Sequence, residues 1–122
     1  MTDEVRFTWI EDAIGMAVYE PDRVKPVSVL KSTGANVVIF ACAAGSALHE
    51  HHSNQPILLQ ALEGTLGVTV DGQVVTLRPG DLLHIEPGVT HSVSAVDQAK
   101  LQLTVLMIDS PGESTVPLSE LE

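Results

Sequence analysis

The sequence predicts an all-β protein folded as one barrel or sandwich, and three observations lead to this expectation. Short β-prone runs follow one another from Val27 to Ile108. Glycine, proline, asparagine or aspartate separates these runs at nearly regular intervals. After Val27, no segment shows the 3.6-residue apolar period of an amphipathic helix. Short strands at such spacing are typical of all-β sandwiches and barrels.

Eight runs carry the β pattern, and we expect each of them to form a strand: VSVL, NVVIFACA, ILLQAL, TLGVTV, QVVTL, DLLHI, HSVSAV and KLQLTVLMI. The clearest unit is VTVDGQVVTL, in which Asp71 and Gly72 separate two alternating segments. Both central residues of a type I′ turn need positive φ, a conformation that Asp and Gly tolerate. The sequence therefore predicts a tight two-residue hairpin at this point.

The chain has 122 residues, which is enough for one domain and too few for two ordinary ones. We expect an N-terminal extension (1–26) that packs on the barrel, a barrel (27–108) and an acidic tail (109–122) that is mobile or lies loosely on the surface. Trp9 and Ile10 are expected to help cover an apolar face. The segment from Val27 to Leu30 has the character of an edge strand, and such edges are usually paired or covered.

Charge and cysteine content exclude several classes of function. The formal net charge is −10 and the six basic residues are scattered, which argues against nucleic acid or an anionic membrane as partner. The first residues lack the layout of a signal peptide, and no apolar run reaches about 18 residues, so we expect a cytoplasmic protein. Cys42, the single cysteine, is expected to be a small core residue.

Three of the five histidines lie in the stretch GSALHEHHSNQP. If ALHEH is extended, His49 and His51 project from the same face, because residues two apart in a strand share a face. Two imidazoles on one face suit zinc, copper, iron or nickel. A third ligand must then come from elsewhere in the fold, and the candidates are His91, His84, Gln55 and His52.

A second cluster, LRPGDLLHIEPGVTHSV, follows the hairpin, and the two clusters together resemble the motifs of the cupin superfamily over residues 27–108. The first motif aligns from Gly45 through His51 to Gly64. The second aligns from Gly80 through Gly88 to His91. The resemblance implies a cupin (RmlC-like) β-barrel or jelly roll, and it implies a homodimer.

The chain departs from the family pattern at three positions. Ser53 stands where the first motif has its second histidine, Ile57 where it has its glutamate, and Glu86 where the second motif has its proline. Only His51 and His91 match ligand positions. The resemblance implies a divalent transition metal (iron, manganese, nickel, copper or zinc).

Two ways of completing the metal site stay open. His49 can add a third imidazole to His51 and His91, or the turn can supply His52 or Gln55. Alternation and the family alignment place four aliphatic side chains inward as the lining of a pocket: Ile57, Leu59, Ala61 and Val93. Such a pocket suits a small apolar or weakly polar ligand.

These features support three hypotheses for function. The first is a metal-binding cupin with an oxygenase-like activity on a small molecule, in which the metal acts as Lewis acid. The second is a non-catalytic module that binds or senses a small molecule without a functional metal site. The third is a stable barrel that retains the histidines of a lost site. The sequence identifies no catalytic residue.

Overall fold

The computed structural model describes residues 6–108, in which nine strands form two antiparallel sheets. The strands are β1 (Val24–Lys31), β2 (Ala35–Cys42), β3 (Ala47–His51), β4 (Ile57–Glu63), β5 (Leu66–Val70), β6 (Gln73–Leu77), β7 (Leu82–Ile85), β8 (His91–Ala95) and β9 (Ala99–Leu106). One sheet has the order β1-β2-β9-β4-β7, and the other has the order β3-β8-β5-β6. The all-β prediction is confirmed, and the acidic tail predicted for residues 109–122 lies outside the described residues.

All eight predicted strands are present, and the histidine stretch forms a ninth, β3. Strand β1 begins at Val24, three residues before the predicted start of the barrel. The hairpin prediction is confirmed, because Asp71 and Gly72 have φ of +49° and +79° between the paired residues Val70 and Gln73. Within residues 6–108, no helix is long and apolar enough to cross a membrane.

The two sheets pack face to face on a common apolar core. Side chains alternate along each strand, so every second residue points to the opposite sheet. The fully buried members of this core include Cys42, Ile57, Leu59, Leu66, Val68, Leu77 and Leu101. Burial of Cys42 matches its prediction, and it raises the pKa of the thiol to about 11. The interior of the barrel is therefore filled with aliphatic side chains.

A second apolar layer lies on the outer face of the five-stranded sheet. We call residues 7–19 the N-terminal strap; it contains a single 3₁₀ turn at Ile14–Met16. Ile10 and Ala17 of the strap pack against outward-facing side chains of β1 and β2, among them Ile39. Trp9, in contrast, is 79% exposed, so it does not cover this face as expected. The strap and the sheet thus enclose a small core outside the barrel.

One buried lysine fixes the strap to the barrel. Lys100 of β9 faces outward, and its ammonium donates to the carbonyl of Ile14 at 3.0 Å. Glu63 accepts a hydrogen bond from the Tyr19 hydroxyl at 2.9 Å, and its other oxygen is 3.8 Å from Lys100 Nζ. Burial and the bond to Glu63 raise the pKa of the Tyr19 phenol. These contacts join strap residues to the last strand over a large sequence separation.

Strand β1 forms one edge of the five-stranded sheet, as predicted for the segment Val27–Leu30. Three features protect this edge from pairing with another strand. Pro26 lacks a backbone donor, the pairing with β2 is irregular between Ser28 and Leu30, and Lys25 adds a charge. The edge is therefore a poor template for a further strand.

We expect Lys100→Met to lower the free energy of unfolding by about 1–3 kcal/mol, because the Ile14 carbonyl and Glu63 lose a charged partner. The matched control is Arg23→Met, which breaks an exposed 3.4 Å pair with Glu20 and should cost less than about 1 kcal/mol. Urea unfolding measures both values. Equal losses would contradict the anchoring role of Lys100.

Gly64→Ala should destabilise the fold by about 3 kcal/mol or more. Gly64 has a φ of +70°, and a Cβ there would collide with the Gln98 carbonyl and lie 2.8 Å from Ala99 Cα. Gly72→Ala is the control, since its φ is +79° and no atom lies within 4 Å. Its cost should be only the left-handed strain of about 1–2 kcal/mol. Thermal or urea unfolding that ranks the two variants in the opposite order would refute this account.

Candidate functional site

Strand β8 carries His91 into the barrel. His91, Val93 and Ala95 alternate with two serines, and all three are buried. Only 2% of the His91 surface is exposed. The strand pairs with β5 on one side and β3 on the other, so the register of both pairs holds this imidazole inside. The predicted inward direction of His91 and Val93 is what the structure has.

The pairing of β3 with β8 separates the histidines of the first cluster. Leu48 pairs with Val93, and His51 pairs with His91, so two residues of β3 lie opposite the single residue Ser92. This bulge breaks the alternation between His49 and His51. The expectation that these two histidines share a face was therefore wrong, because it assumed a regular strand.

His51 and His91 form a cross-strand pair of imidazoles. Their ring centroids are 4.3 Å apart and the rings are inclined by 66°. His51 Nδ1 lies 2.7 Å from the carbonyl oxygen of His49, and His91 Nδ1 lies 3.1 Å from that of Val89. A carbonyl can only accept, so each Nδ1 carries the proton in this arrangement. The lone pair of each neutral ring is then on Nε2.

The Nε2 atom of His91 is buried and has no hydrogen-bond partner among the described residues. Burial is the largest cause and lowers the pKa of His91. The hydrogen bond to the Val89 carbonyl opposes this effect, and the neighbouring His51 and His52 lower the pKa by lesser amounts. The neutral ring, which has a free lone pair, is thus favoured. A buried nitrogen without a partner is costly unless a ligand uses it.

The remaining candidate ligands differ in position. His52 follows β3 directly, is exposed and lies close enough to influence His91 electrostatically. The amide oxygen of Gln55 already accepts a hydrogen bond from the backbone of Ile108 at 3.1 Å. His84 pairs with Leu58 in the five-stranded sheet, on the face opposite the buried Ile85. Of these residues, only His52 lies near the pair without a competing contact in the described structure.

The nitrogen ligands offered by His51 and His91 meet only part of what a transition-metal site requires. Two neutral imidazoles held by their Nδ1–H groups are a ligand arrangement typical of zinc, copper, iron and nickel sites. However, no group of three or more histidine, cysteine, aspartate or glutamate side chains is assembled for a metal within residues 6–108. Catalytic zinc sites usually have three protein ligands. The pair supplies two of them.

The residues expected to line a pocket are part of the barrel core. Ile57, Leu59, Ala61 and Val93 are all buried and point inward, as alternation predicts. Ile57, at the glutamate position of the motif, is 1% exposed and packs in this core. In the described part of the chain, His91 and Lys100 are the only buried charged or strongly polar side chains, so no carboxylate is buried there.

His49 and Glu50 lie on the outside of the four-stranded sheet. They line a shallow groove of about 400 Å³ together with side chains and backbone of β3, β5 and β8, including Gly67, Thr69, Ser92 and Ser94. The groove did not emerge from the sequence, because it depends on the bulge. The one feature of the sequence that could have indicated this groove is the segment HSVSA, in which serines alternate with the residues that are buried.

Comparison with known proteins gives a family and a set of similar folds. The sequence profile described as Cupin domain matches residues 36–109. A comparison with curated protein sequences finds no match. A conserved protein of unknown function from Streptococcus pyogenes has a similar structure, with 17% identity, a TM-score of 0.75 and coverage of 87% of this chain and 93% of that one.

Two further structures show the range of the fold. The TT1209 protein from Thermus thermophilus is 27% identical, with a TM-score of 0.71 and coverage of 80% of this chain and 96% of that one. Salicylate 1,2-dioxygenase from Pseudoaminobacter salicylatoxidans is 18% identical, with a TM-score of 0.65. That match covers 73% of this chain but only 26% of the dioxygenase. These similarities show the architecture shared by the chains.

We expect both His51 and His91 to be Nδ1–H tautomers when neutral, because each Nδ1 faces a backbone carbonyl. Nitrogen-15 NMR of histidine-labelled protein above neutral pH measures the tautomer directly. His84 is the reference, since its ring makes no hydrogen bond within residues 6–108. A proton on Nε2 of either His51 or His91 would contradict the prediction.

Proposed function

Because this chain belongs to the cupin superfamily, we propose that it binds a divalent transition metal through His51 and His91 at the mouth of the barrel. The bound ion would meet a small molecule at its open coordination positions. Iron, manganese, nickel, copper and zinc are the candidate ions, since imidazole suits this group better than magnesium or calcium.

The observation that carries the proposal is the buried Nε2 of His91, which has no partner among the described residues. Its ring is oriented by the Val89 carbonyl, and its neighbour His51 is oriented in the same way by the carbonyl two residues before it. Such hydrogen bonds fix the tautomer that exposes Nε2 as a ligand atom. The Nε2 atoms of both rings are thus left available to bind a common ligand.

His52 is the third ligand that we propose for the site. It is the residue next to His51, lies outside the regular strand, and already lowers the pKa of His91 through its proximity. His49 is not proposed, because the bulge places it at the outer groove. A metal held in this way would act as a Lewis acid on an oxygen atom of the small molecule.

The chain's own residues restrict the chemistry at this site. The aliphatic core around Ile57 and Val93 excludes water from the inner side of His91. No carboxylate is buried beside His91 as a general base in residues 6–108. The site therefore favours a small, weakly polar ligand and a reaction, oxygenase-like in kind, that draws on the metal and not on a side-chain base.

A second candidate function is a module that binds a small molecule without turning it over. Ile57 favours this alternative, because an aliphatic side chain packed in the core stands where the family motif has its acidic ligand. In this case the His51–His91 pair would hold a ligand by hydrogen bonds that the two Nε2 atoms accept. The two candidates differ in whether a metal is required.

We place this activity in the cytoplasm. Cys42, the single cysteine, is buried and cannot form a disulfide within the chain, which is compatible with a reducing compartment. The net charge of −10 supports a small molecule, and not nucleic acid or an anionic membrane, as the partner.

Metal analysis of the full chain tests the proposal. We expect near one equivalent of a transition metal per chain by plasma mass spectrometry after purification or reconstitution. His51→Ala and His91→Ala should each weaken binding by at least about tenfold, because removal of a ligand costs no less than removal of its supporting partner. His84→Ala and His49→Ala are matched controls and should retain the metal.

The pattern of results separates the two functions. A metal lost in both site variants and kept in both controls supports the metal-binding cupin, and oxygen-uptake screens with small ketones, thiols and phenols then test turnover. A chain that stays empty after incubation with all five ions excludes it. Loss of the metal in the His49→Ala variant alone would indicate a metal site in the outer groove, and this result would also overturn the proposal.

A further inference from the structure

Within residues 6–108 the two sheets have four edge strands, and three of them are protected against pairing with a further strand. Strand β1 has Pro26 and an irregular register, and the bulge before His51 breaks the pairing of β3 with β8. Strand β7 is the shortest of the nine, with only four residues. Proline, bulges and short length are the usual protections of a sheet edge. The fourth edge strand, β6, has none of these features.

Strand β6 is a regular template with one free side. Its sequence QVVTL has no charged residue, proline or glycine, and all five residues pair in register with β5. The two-residue turn makes the first pair hydrogen-bonded, and bonded pairs then alternate with non-bonded ones. The backbone groups of Gln73, Val75 and Leu77 are therefore bonded to β5, whereas those of Val74 and Thr76 point away from it.

The free side of β6 offers backbone groups next to apolar side chains. In the described part of the chain, no other backbone group bonds to that of Val74 or Thr76. Val74 is 73% exposed on the outer face of the sheet. Val75, on the inner face, is only partly buried and packs at the margin of the barrel core. Two N–H and two C=O groups thus lie between an exposed valine and the border of the core.

We propose that the free side of β6 binds an extended segment of another protein, apolar at its centre and basic at its ends, as a fifth strand of this sheet. Main-chain hydrogen bonds to Val74 and Thr76 would supply affinity, and alternate side chains would supply specificity. One side chain of the segment would contact Val74, and the next would extend the core beside Val75. Both contacts favour β-branched side chains at the centre of the segment.

The charge of the chain determines which segments this edge attracts. Strand β6 is uncharged, and the turns on either side of it carry Asp71, Arg78 and Asp81, so their net charge is negative. The chain as a whole carries −10. Segments with lysine or arginine at their ends are therefore attracted, and acidic ones are repelled. Residues 109–122 of this chain include four acidic residues and no basic one, so they match this edge poorly.

Amide hydrogen exchange of the full chain, followed by NMR, measures this contact residue by residue. The probe is the synthetic peptide KKVTVTVKK with blocked ends. The peptide EEVTVTVEE tests the role of charge, and KKVTPTVKK tests main-chain pairing, because its central proline lacks a donor. Strand β5 separates β6 from the strand that carries His91. All samples contain a chelator, so the result does not depend on the proposed metal site.

In the free chain, the amides of Val74 and Thr76 should exchange faster than that of Val75. KKVTVTVKK at ten times its dissociation constant should slow exchange at Val74 and Thr76 by about tenfold. The acidic peptide and the proline peptide should each bind at least about tenfold more weakly.

Two variants separate recognition of the backbone from recognition of the side chain. Val74→Pro removes the free donor without breaking a bond to β5, and it should weaken binding of KKVTVTVKK by at least about fivefold. Val74→Ser keeps the donor and should weaken binding less. Trp9→Ser is the matched control, because Trp9 is 79% exposed on the N-terminal strap, and it should bind as the wild type does. Circular dichroism checks that each variant is folded.

Four results would overturn the proposal. The first is unchanged exchange at Val74 and Thr76 at the highest soluble concentration of KKVTVTVKK. The second is equal binding of the three peptides. The third is wild-type binding by Val74→Pro, or loss of binding in Trp9→Ser. The fourth is slow exchange at Val74 and Thr76 in the free chain, since a second copy or residues 109–122 would then already cover this edge.

Discussion

The packing of two sheet faces on one apolar core is the constraint on which the rest of the structure depends. Side chains alternate along a strand, so a shift of one residue in register would turn the buried set outward. Leu66, Val68 and Leu101 are completely buried, and they fix the register of β5 and β9. His91 shares the face of Val93 and Ala95. The burial of two aliphatic neighbours therefore determines that the imidazole is inside.

The bulge in β3 is the local exception to this rule, and it has chemical consequences. It gives the barrel one histidine of the first cluster, His51, and directs His49 to the outer groove. Of the two paired imidazoles, that of His91 is buried and that of His51 is exposed, and no carboxylate is buried within the described chain. Each ring is oriented by a carbonyl two residues earlier. The two rings are thus oriented for binding a ligand, although the pair supplies only two ligand atoms to a metal.

Much of the fold was accessible from the sequence because its signals are local. Alternation, turn residues and the Asp71–Gly72 pair each act over a few positions, and all eight predicted strands were found. The inward direction of His91 and Ile57 follows from the same alternation. The metal role of His51 and His91 remains a prediction.

The errors arose where the structure depends on contacts between distant segments. The position of His49 depends on how β3 pairs with β8, and nothing within ALHEH requires a bulge. Trp9 and Ile10 were expected to help cover an apolar face, and only Ile10 does so. The strap is held by Lys100, whose partners lie far away along the chain. The sequence of one segment does not reveal how that segment pairs or packs with distant ones. For this reason the position of His49 and the exposure of Trp9 were not predicted.

The central place of β9 in the five-stranded sheet has a consequence for how the chain acquires its structure. Strands β2 and β4 both pair with β9, and Lys100 of the same strand receives the strap. During synthesis, the earlier strands leave the ribosome before the strand that joins them, so both apolar layers stay open to the cellular environment until β9 emerges. Closure of such distant contacts is slow. The five-stranded sheet and the strap can therefore reach their final arrangement only after β9, which lies late in the chain, has been synthesised.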